Sequence, residues 1–315
     1  MESKLLTETT VISVSPVVLA VPHRPANLSL RISGPRTGQK LPIILLSHGV
    51  GLSNNLSSLN GYGPLANYWA AHGFIVIQPT HLGSKTVKLD PSTPGAPIFW
   101  RTRAEDMKHI IDKLDEIESL APEFKGRLDH TKLAVAGVSM GGITASMLLG
   151  ATVKDASEPD QQEVDMTELR IKAGLILSGP GTGGANLNPA ASARFSYYLD
   201  PTFDNMKTPA LVVVGDKDAG GMSVRESDWH AEPYTLSPGP KSLLTLFGAG
   251  HLLGGVSGYD AAETTDESPE RVALINHLTV AYLKSVLYAG DNSWQTASQA
   301  LNEETTPLGK IESKA

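Results

Sequence analysis

The segment Leu133-Ala134-Val135-Ala136-Gly137-Val138-Ser139-Met140-Gly141-Gly142 constrains what this chain can fold into more than any other stretch. Lys132 to Ala136 is mostly small and apolar, the pattern of a strand covered on both faces. From Gly141 to about Gly150 the residues suit a helix, with Ile143, Met147 and Leu148 among its apolar positions. Between them lies Gly-x-Ser-x-Gly, residues Gly137 to Gly141. A strand that enters a helix through so tight a turn leaves room only for small side chains two residues either side of the serine. Gly142 lets the helix lie close on the strand. The serine is then held in a strained backbone conformation with its hydroxyl exposed. A glycine-rich packing turn is the alternative. The strand-to-helix context argues for a nucleophile at Ser139.

The rest of the chain supplies strands and helices in alternation. Val11 to Val21 is apolar enough to suggest the core of a signal peptide. Glu2 and Glu8 precede it, Ser13 and Ser15 interrupt it and Pro16 breaks it, so an opening strand fits better. Leu28, Leu30 and Ile32 alternate with polar residues in a second strand, followed by a turn at Gly34 to Gly38. Leu41 to Leu46 and Phe74 to Gln78 read as buried strands, with a helix from Pro64 to His72 between them. A long irregular segment, Thr80 to about Trp100, precedes a single amphipathic helix from Arg101 to Leu120, its apolar face running from Met107 to Leu120. Residues 152–170 are polar and acidic and read as an exposed insertion. Further buried strands lie at Lys172 to Ser178, Pro209 to Gly215 and Lys241 to Phe247, the last of the series. A closing helix from Glu270 to Tyr288 starts at Ser268-Pro269. These elements predict an α/β fold: a mainly parallel sheet with helices on both faces, in one domain over residues 1–301, with a poorly ordered polar tail over 302–315.

Composition excludes several classes of function. A formal net charge of −7 and the lack of a basic stripe argue against a nucleic-acid partner. There is no cysteine, so the chain has no disulfide framework, thiolate metal site or cysteine nucleophile. No apolar run is long enough for a membrane span. With no convincing signal peptide, a cytoplasmic location is the expectation.

A serine hydroxyl needs a base within hydrogen-bond reach, and the base needs a group that fixes its tautomer. In such a sheet, functional groups gather at the carboxyl ends of the strands. Two loops there carry suitable residues. Gly215-Asp216-Lys217-Asp218 offers two aspartates, and the outer position favours Asp218 as the acid over Asp216. Gly248-Ala249-Gly250-His251 places a histidine on a glycine-flanked loop after the expected final strand. The order Ser139, Asp218, His251 is a recognised one for this chemistry. His230 and His277 fit the role of base less well. The oxyanion of an acyl transfer needs donors. The Met140 amide at the elbow and the Val50 amide, in Ser47-His48-Gly49-Val50-Gly51, are the candidates. His48 itself reads as a brace for that loop.

These residues resemble the α/β-hydrolase superfamily from about Leu41 to Tyr288, and within it the hydrolases related to platelet-activating-factor acetylhydrolase, dienelactone hydrolase and chlorophyllase. The resemblance rests on Ser47 to Gly51, Ala71-His72-Gly73-Phe74, the pair Arg103 and Asp106, the Ser139 elbow, Gly215 to Asp218 and Gly248 to His251. It implies carboxylic ester hydrolysis by Ser139, Asp218 and His251 on a small-molecule ester, with Val50 and Met140 as oxyanion donors and without metal or organic cofactor. Dienelactone hydrolases use a cysteine where this chain has Ser139, so their substrate does not transfer. Arg103 and Asp106 are expected as a structural pair beneath the site, and His81, Leu82, Trp100 and Trp229 as substrate-contacting residues on rim loops. A lactonase or thioesterase would use the same acyl chemistry. A catalytically silent ligand-binding protein of the same fold is the alternative from another class. The complete set of Ser139, Asp218 and His251 favours the enzyme.

Overall fold

A computed structural model describes residues 9–154, 163–195, 198, 201–219, 221–258 and 261–315. Eleven strands are present among them: β1 Val11–Leu19, β2 Leu28–Pro35, β3 Leu41–Ser47, β4 Ile75–Thr80, β5 Leu128–Val138, β6 Thr152–Lys154, β7 Glu163–Asp165, β8 Ile171–Leu177, β9 Ala210–Gly215, β10 Lys241–Leu246 and β11 Gly309–Lys314. The helices are α1 Gly63–Ala71, α2 Trp100–Asp112, α3 Leu114–Leu120, α4 Met140–Leu148, α5 Pro189–Arg194, α6 Glu232–Thr235, α7 Pro269–Leu287 and α8 Ser293–Asn302.

Nine strands form one sheet in the order β1-β2-β4-β3-β5-β8-β9-β10-β11. The six inner strands, β4 through β10 in that order, run parallel. Antiparallel strands close both edges. The inner strands are buried on both faces, which is why they read as continuous apolar runs. In β3, Ile43 and Leu45 enter one core layer, while Ile44 and Leu46 enter the other. The first layer is completed by α2, α3 and α4, the second by α1, α7 and α8. Chain order reverses around β3: the chain steps outward to β4, then returns across β3 to β5. Loops at the carboxyl ends of strands beside such a reversal part to leave a crevice. Ser47 to Gly51 and the Ser139 elbow lie there.

Several expectations are corrected. The helix expected from Arg101 to Leu120 breaks at Lys113 into α2 and α3. The turn keeps Leu114 and Ile117 in the core but leaves Leu120 47% exposed. At the edges of the acidic stretch 152–170, β6 and β7 pair antiparallel, and Thr152, Val153 and Glu168 are buried. Thr152 also exchanges backbone hydrogen bonds with Thr202. The ends of this stretch are therefore anchored, while 155–162 lie outside the described residues. The helix α8 follows the expected closing helix and has no counterpart among the sequence expectations. Residues 302–315 are not a disordered tail, because β11 pairs along the whole length of β10, so β10 is not the last strand. Only Ile311 of β11 reaches deep into the core, and the flanking Lys310, Glu312 and Ser313 are exposed, as suits an edge strand. Asn302 fastens it by accepting from Ile311 N–H and donating to Ile311 O at 2.9 and 3.0 Å.

An ordered edge strand makes Ile311 part of the core. Ile311→Ala is expected to lower unfolding free energy by about 2 kcal/mol or more. Glu312→Ala, on the exposed side, should change it by less than about 0.5 kcal/mol. Equal, negligible effects in chemical denaturation would mean the strand contributes nothing to the fold.

Candidate active site

Ser139 sits between β5 and α4 with φ 55° and ψ −119°, a region that costs a non-glycine residue about 1–3 kcal/mol. Its neighbours explain why the turn can be so tight. A Cβ added to Gly137 would lie 1.9 Å from the Gly141 carbonyl oxygen, and one added to Gly141 would lie 2.1 Å from that of Ser47. No side chain fits at either position. The approach brings β3, β5 and α4 together at one point, with the serine directed outward.

His251 Nε2 lies 2.9 Å from Ser139 Oγ. The other ring nitrogen, Nδ1, lies 2.9 and 3.1 Å from the two carboxylate oxygens of Asp218. Asp218 is buried, and burial acts to raise its carboxyl. Hydrogen bonds from His230 and His251 outweigh that and hold it well below the usual carboxylate range. Asp216 plays a structural part instead. Its Oδ1 accepts the Gly248 N–H at 2.6 Å, tying the turn after β9 to the turn after β10. The His251 loop is fixed by Asp266, whose Oδ2 accepts Gly250 N–H at 2.8 Å and Gly254 N–H at 3.1 Å.

The loop that carries Val50 is clamped from several directions. His81 backbone N–H donates to His48 Nε2 at 3.0 Å. The His48 proton therefore belongs on Nδ1, which donates to Gly49 O at 2.7 Å. Burial, helped by the Arg103 charge, lowers His48 well below its ordinary value, so the ring is neutral. Gly49 N–H donates to the Tyr62 hydroxyl at 2.8 Å. Arg103 donates to His48 O. Beyond Val50, Glu263 accepts Leu52 N–H at 2.6 Å and Ser53 N–H at 2.8 Å. His48 thus braces the loop.

Beneath lies a second row of Ser, His and Asp. Ser47 Oγ is 3.0 Å from His81 Nε2, and His81 Nδ1 is 2.9 Å from Asp106 Oδ2. Burial, with Arg103 and Arg24 nearby, lowers His81 well below its ordinary value. The neutral ring then donates Nδ1–H to Asp106 and accepts from Ser47. Arg24 adds bonds to both Asp106 oxygens at 2.9 and 3.1 Å. His81 is fully buried in this row and does not reach the rim, correcting the substrate-contact expectation. Two further expectations are corrected. Leu82 faces a separate cavity with Val21 and His109, and Trp100 packs into the core.

The open cavity has a volume of about 470 Å³ and is lined by Val50, Ser139, Met140, Asp218, His230 and His251 on its reactive side. Pro180, Ala191, Phe195, Met222 and Trp229 supply its apolar wall, with Arg194 also on the lining. Of the four residues expected to touch substrate, Trp229 alone lines this cavity. Its indole N–H donates to Thr182 O at 2.7 Å, which fixes the ring. Sequence reasoning missed Tyr62, Glu263, Asp266 and the position of His230. Each acts on a residue more than ten positions away, which spacing does not disclose. Asp218, His230 and His251 also bring one potential ligand atom each within 4.8 Å of one another. His251 Nδ1 and His230 Nε2 lie 2.9 and 3.3 Å from Asp218 Oδ2.

Residues 6–157 match the chlorophyllase family. The match spans just under half of the chain, and the mainly parallel sheet with helices on both faces is consistent with an α/β-hydrolase fold. Chlorophyllase is a carboxylic ester hydrolase. The matched residues include the Val50 loop and the Ser139 elbow, while Asp218 and His251 lie beyond them. No curated protein matches the sequence. Among the described residues no helix is long and apolar enough to cross a membrane.

The buried row generates a direct expectation. Arg24 and Asp106 are 4% and 3% exposed, and removing one partner of such a pair costs about 3–5 kcal/mol. Asp106→Ala should therefore destabilise by an amount in that range in chemical denaturation, although Asp106 touches no substrate. A loss below about 1 kcal/mol would show that the row does not carry the loop.

Proposed function

We propose that this enzyme cleaves carboxylic esters at Ser139 through an acyl-enzyme, with His251 as base and Asp218 as its orienting acid. The observation that carries the reading is the unbroken row from Ser139 Oγ through His251 to Asp218, with separations of 2.9 Å at the serine and 2.9 and 3.1 Å at the carboxylate. With Nδ1–H given to Asp218, the lone pair of Nε2 faces the serine hydroxyl, the tautomer a base requires.

Ser139 Oγ attacks the ester carbonyl carbon as its proton passes to His251 Nε2. The carbonyl oxygen becomes an anion, received by the backbone amides of Val50 and Met140. Met140 opens α4, so its amide stands at the positive end of the helix dipole. His251 then protonates the leaving alcohol oxygen, and the C–O bond breaks. Water repeats the sequence in reverse, releasing the acid and restoring the Ser139 hydroxyl. Asp218 stabilises the imidazolium formed at each stage. The strained backbone at Ser139 holds the nucleophile in position before substrate arrives.

The apolar wall and the cavity volume of about 470 Å³ suit an ester with a compact hydrophobic portion. Such a group gains by leaving water, at about 25 cal/mol per Å² of apolar surface buried.

Ser139→Ala should lower kcat on an activated ester by about 10³-fold or more, with folding unchanged. Asp218→Asn should lower it by about 10³- to 10⁴-fold, through loss of the tautomer that Asp218 imposes. Asp216→Asn should cost about tenfold at most, because Asp216 only ties two turns together. Undiminished turnover in Ser139→Ala would overturn the mechanism. A crippling effect at Asp216 with a mild one at Asp218 would overturn the choice of acid.

A further inference from the structure

An oxyanion donor works only if its backbone is fixed, because its N–H must stand about 2.7–3.1 Å from the place the oxygen will occupy. On the near side of Val50 the chain is held at Gly49, through His48 and the Tyr62 hydroxyl. On the far side, packing supplies little. Gly51 has no side chain, and Leu52 is 81% exposed. A backbone segment with so few buried contacts opens locally at low cost.

What holds the far side is one carboxylate oxygen. Glu263 Oε1 accepts two consecutive amides, Leu52 N–H at 2.6 Å and Ser53 N–H at 2.8 Å. It lies so close to the loop that a Cβ added to Gly51 would come within 2.8 Å of it. Burial acts to raise the Glu263 carboxyl. The bonds from Ser53 and Leu52, with Lys85 nearby, outweigh that and hold it below its ordinary value. The two amides therefore bond to a charged acceptor, which makes each bond stronger than one to a neutral oxygen. The other oxygen, Oε2, is buried with no hydrogen-bond partner among the described residues. A buried acceptor left unpaired costs stability, and that cost is borne where the first oxygen fixes the loop of Val50. Three residues on, Asp266 Oδ2 accepts Gly250 N–H and Gly254 N–H on the His251 loop. One short stretch between that loop and α7 thus pins the oxyanion loop with one carboxylate and the base loop with another.

We propose that Glu263 is a positioning residue for the reaction: it holds the Val50 amide at the place where the oxyanion forms, and ties that place to the loop that carries the base. This inference rests on the reading of Val50 and Met140 as oxyanion donors. Glu263 touches no reacting atom. It acts through the backbone from Val50 to Ser53.

The test compares an activated ester with its thiono counterpart, in which sulfur replaces the carbonyl oxygen. Sulfur is a weak hydrogen-bond acceptor, so the thiono ester gains little from the two amides. The ratio of kcat/KM for the oxygen ester to that for the sulfur ester therefore reports on the oxyanion donors rather than on the nucleophile or the fold. In Glu263→Ala, kcat on the oxygen ester should fall by about 10- to 100-fold with KM within about threefold, and the ratio should fall by a similar factor. Asp266→Ala removes two backbone bonds from the other loop. It should lower kcat while leaving the ratio within about twofold. An unchanged ratio in Glu263→Ala would overturn the proposal, and so would an equal fall in the two variants, which would mean general loosening. Should Glu263→Ala not fold, Glu263→Gln keeps an acceptor oxygen without the charge, and its ratio should fall at least about threefold. An unchanged ratio there would overturn the proposal equally. A different result would strike the underlying reading instead: an unsubstituted protein that turns over both esters alike would show that Val50 and Met140 do not receive an oxyanion.

Discussion

The arrangement of the active site depends on the contact between Gly137, Gly141 and the end of β3. Because neither glycine has a side chain, β5 can turn straight into α4 against the Ser47 carbonyl, and the chain passes through a strained φ at Ser139. The strain is sustained by a parallel sheet buried on both faces, in which Ser139 N–H donates to Leu177 O at 2.9 Å and Gly142 N–H to Ser139 O at 2.7 Å. A local cost of about 1–3 kcal/mol is thus carried by many surrounding contacts. It leaves a hydroxyl exposed at the reversal in strand order, beside the loop of Val50.

Two rows of serine, histidine and aspartate meet near this point, and burial gives them different roles. In the inner row, Ser47, His81 and Asp106 are sealed from solvent and saturated by Arg24 and Arg103. It has no space for a substrate, and its protons are committed to holding the Val50 loop. In the outer row, Ser139 opens on a cavity and His251 is the exposed member, while Asp218 is buried behind it. The same residue types therefore serve as scaffold in one place and as reacting groups in the other. Access, rather than composition, makes the difference.

The inner strands were legible because a strand covered on both faces must be small and apolar throughout. The elbow was legible because its steric limits act between neighbours in sequence. Edge elements were not: β11 has one deeply buried apolar side chain, Ile311, and otherwise reads as a polar tail. The apolar period from Met107 through Leu114 to Ile117 survives the turn at Lys113, so it concealed the helix break. Loop residues were the hardest to place. His81 follows a strand as a rim residue would, yet Asp106 on α2 draws it inward. His230 was passed over as a base, and its contact with Asp218 depends on how β8, β9 and the Ser227–Ala231 segment pack, which no spacing rule records.

The central claim is that one hydroxyl, Ser139, is made nucleophilic by its place in this structure. Treatment with a fluorophosphonate, followed by intact-mass measurement and peptide mapping, tests it most directly. The account predicts a single phosphonyl adduct, located on Ser139, formed in step with loss of esterase activity. Inactivation with the adduct on another residue, or an unmodified Ser139 in fully inactivated protein, would contradict it.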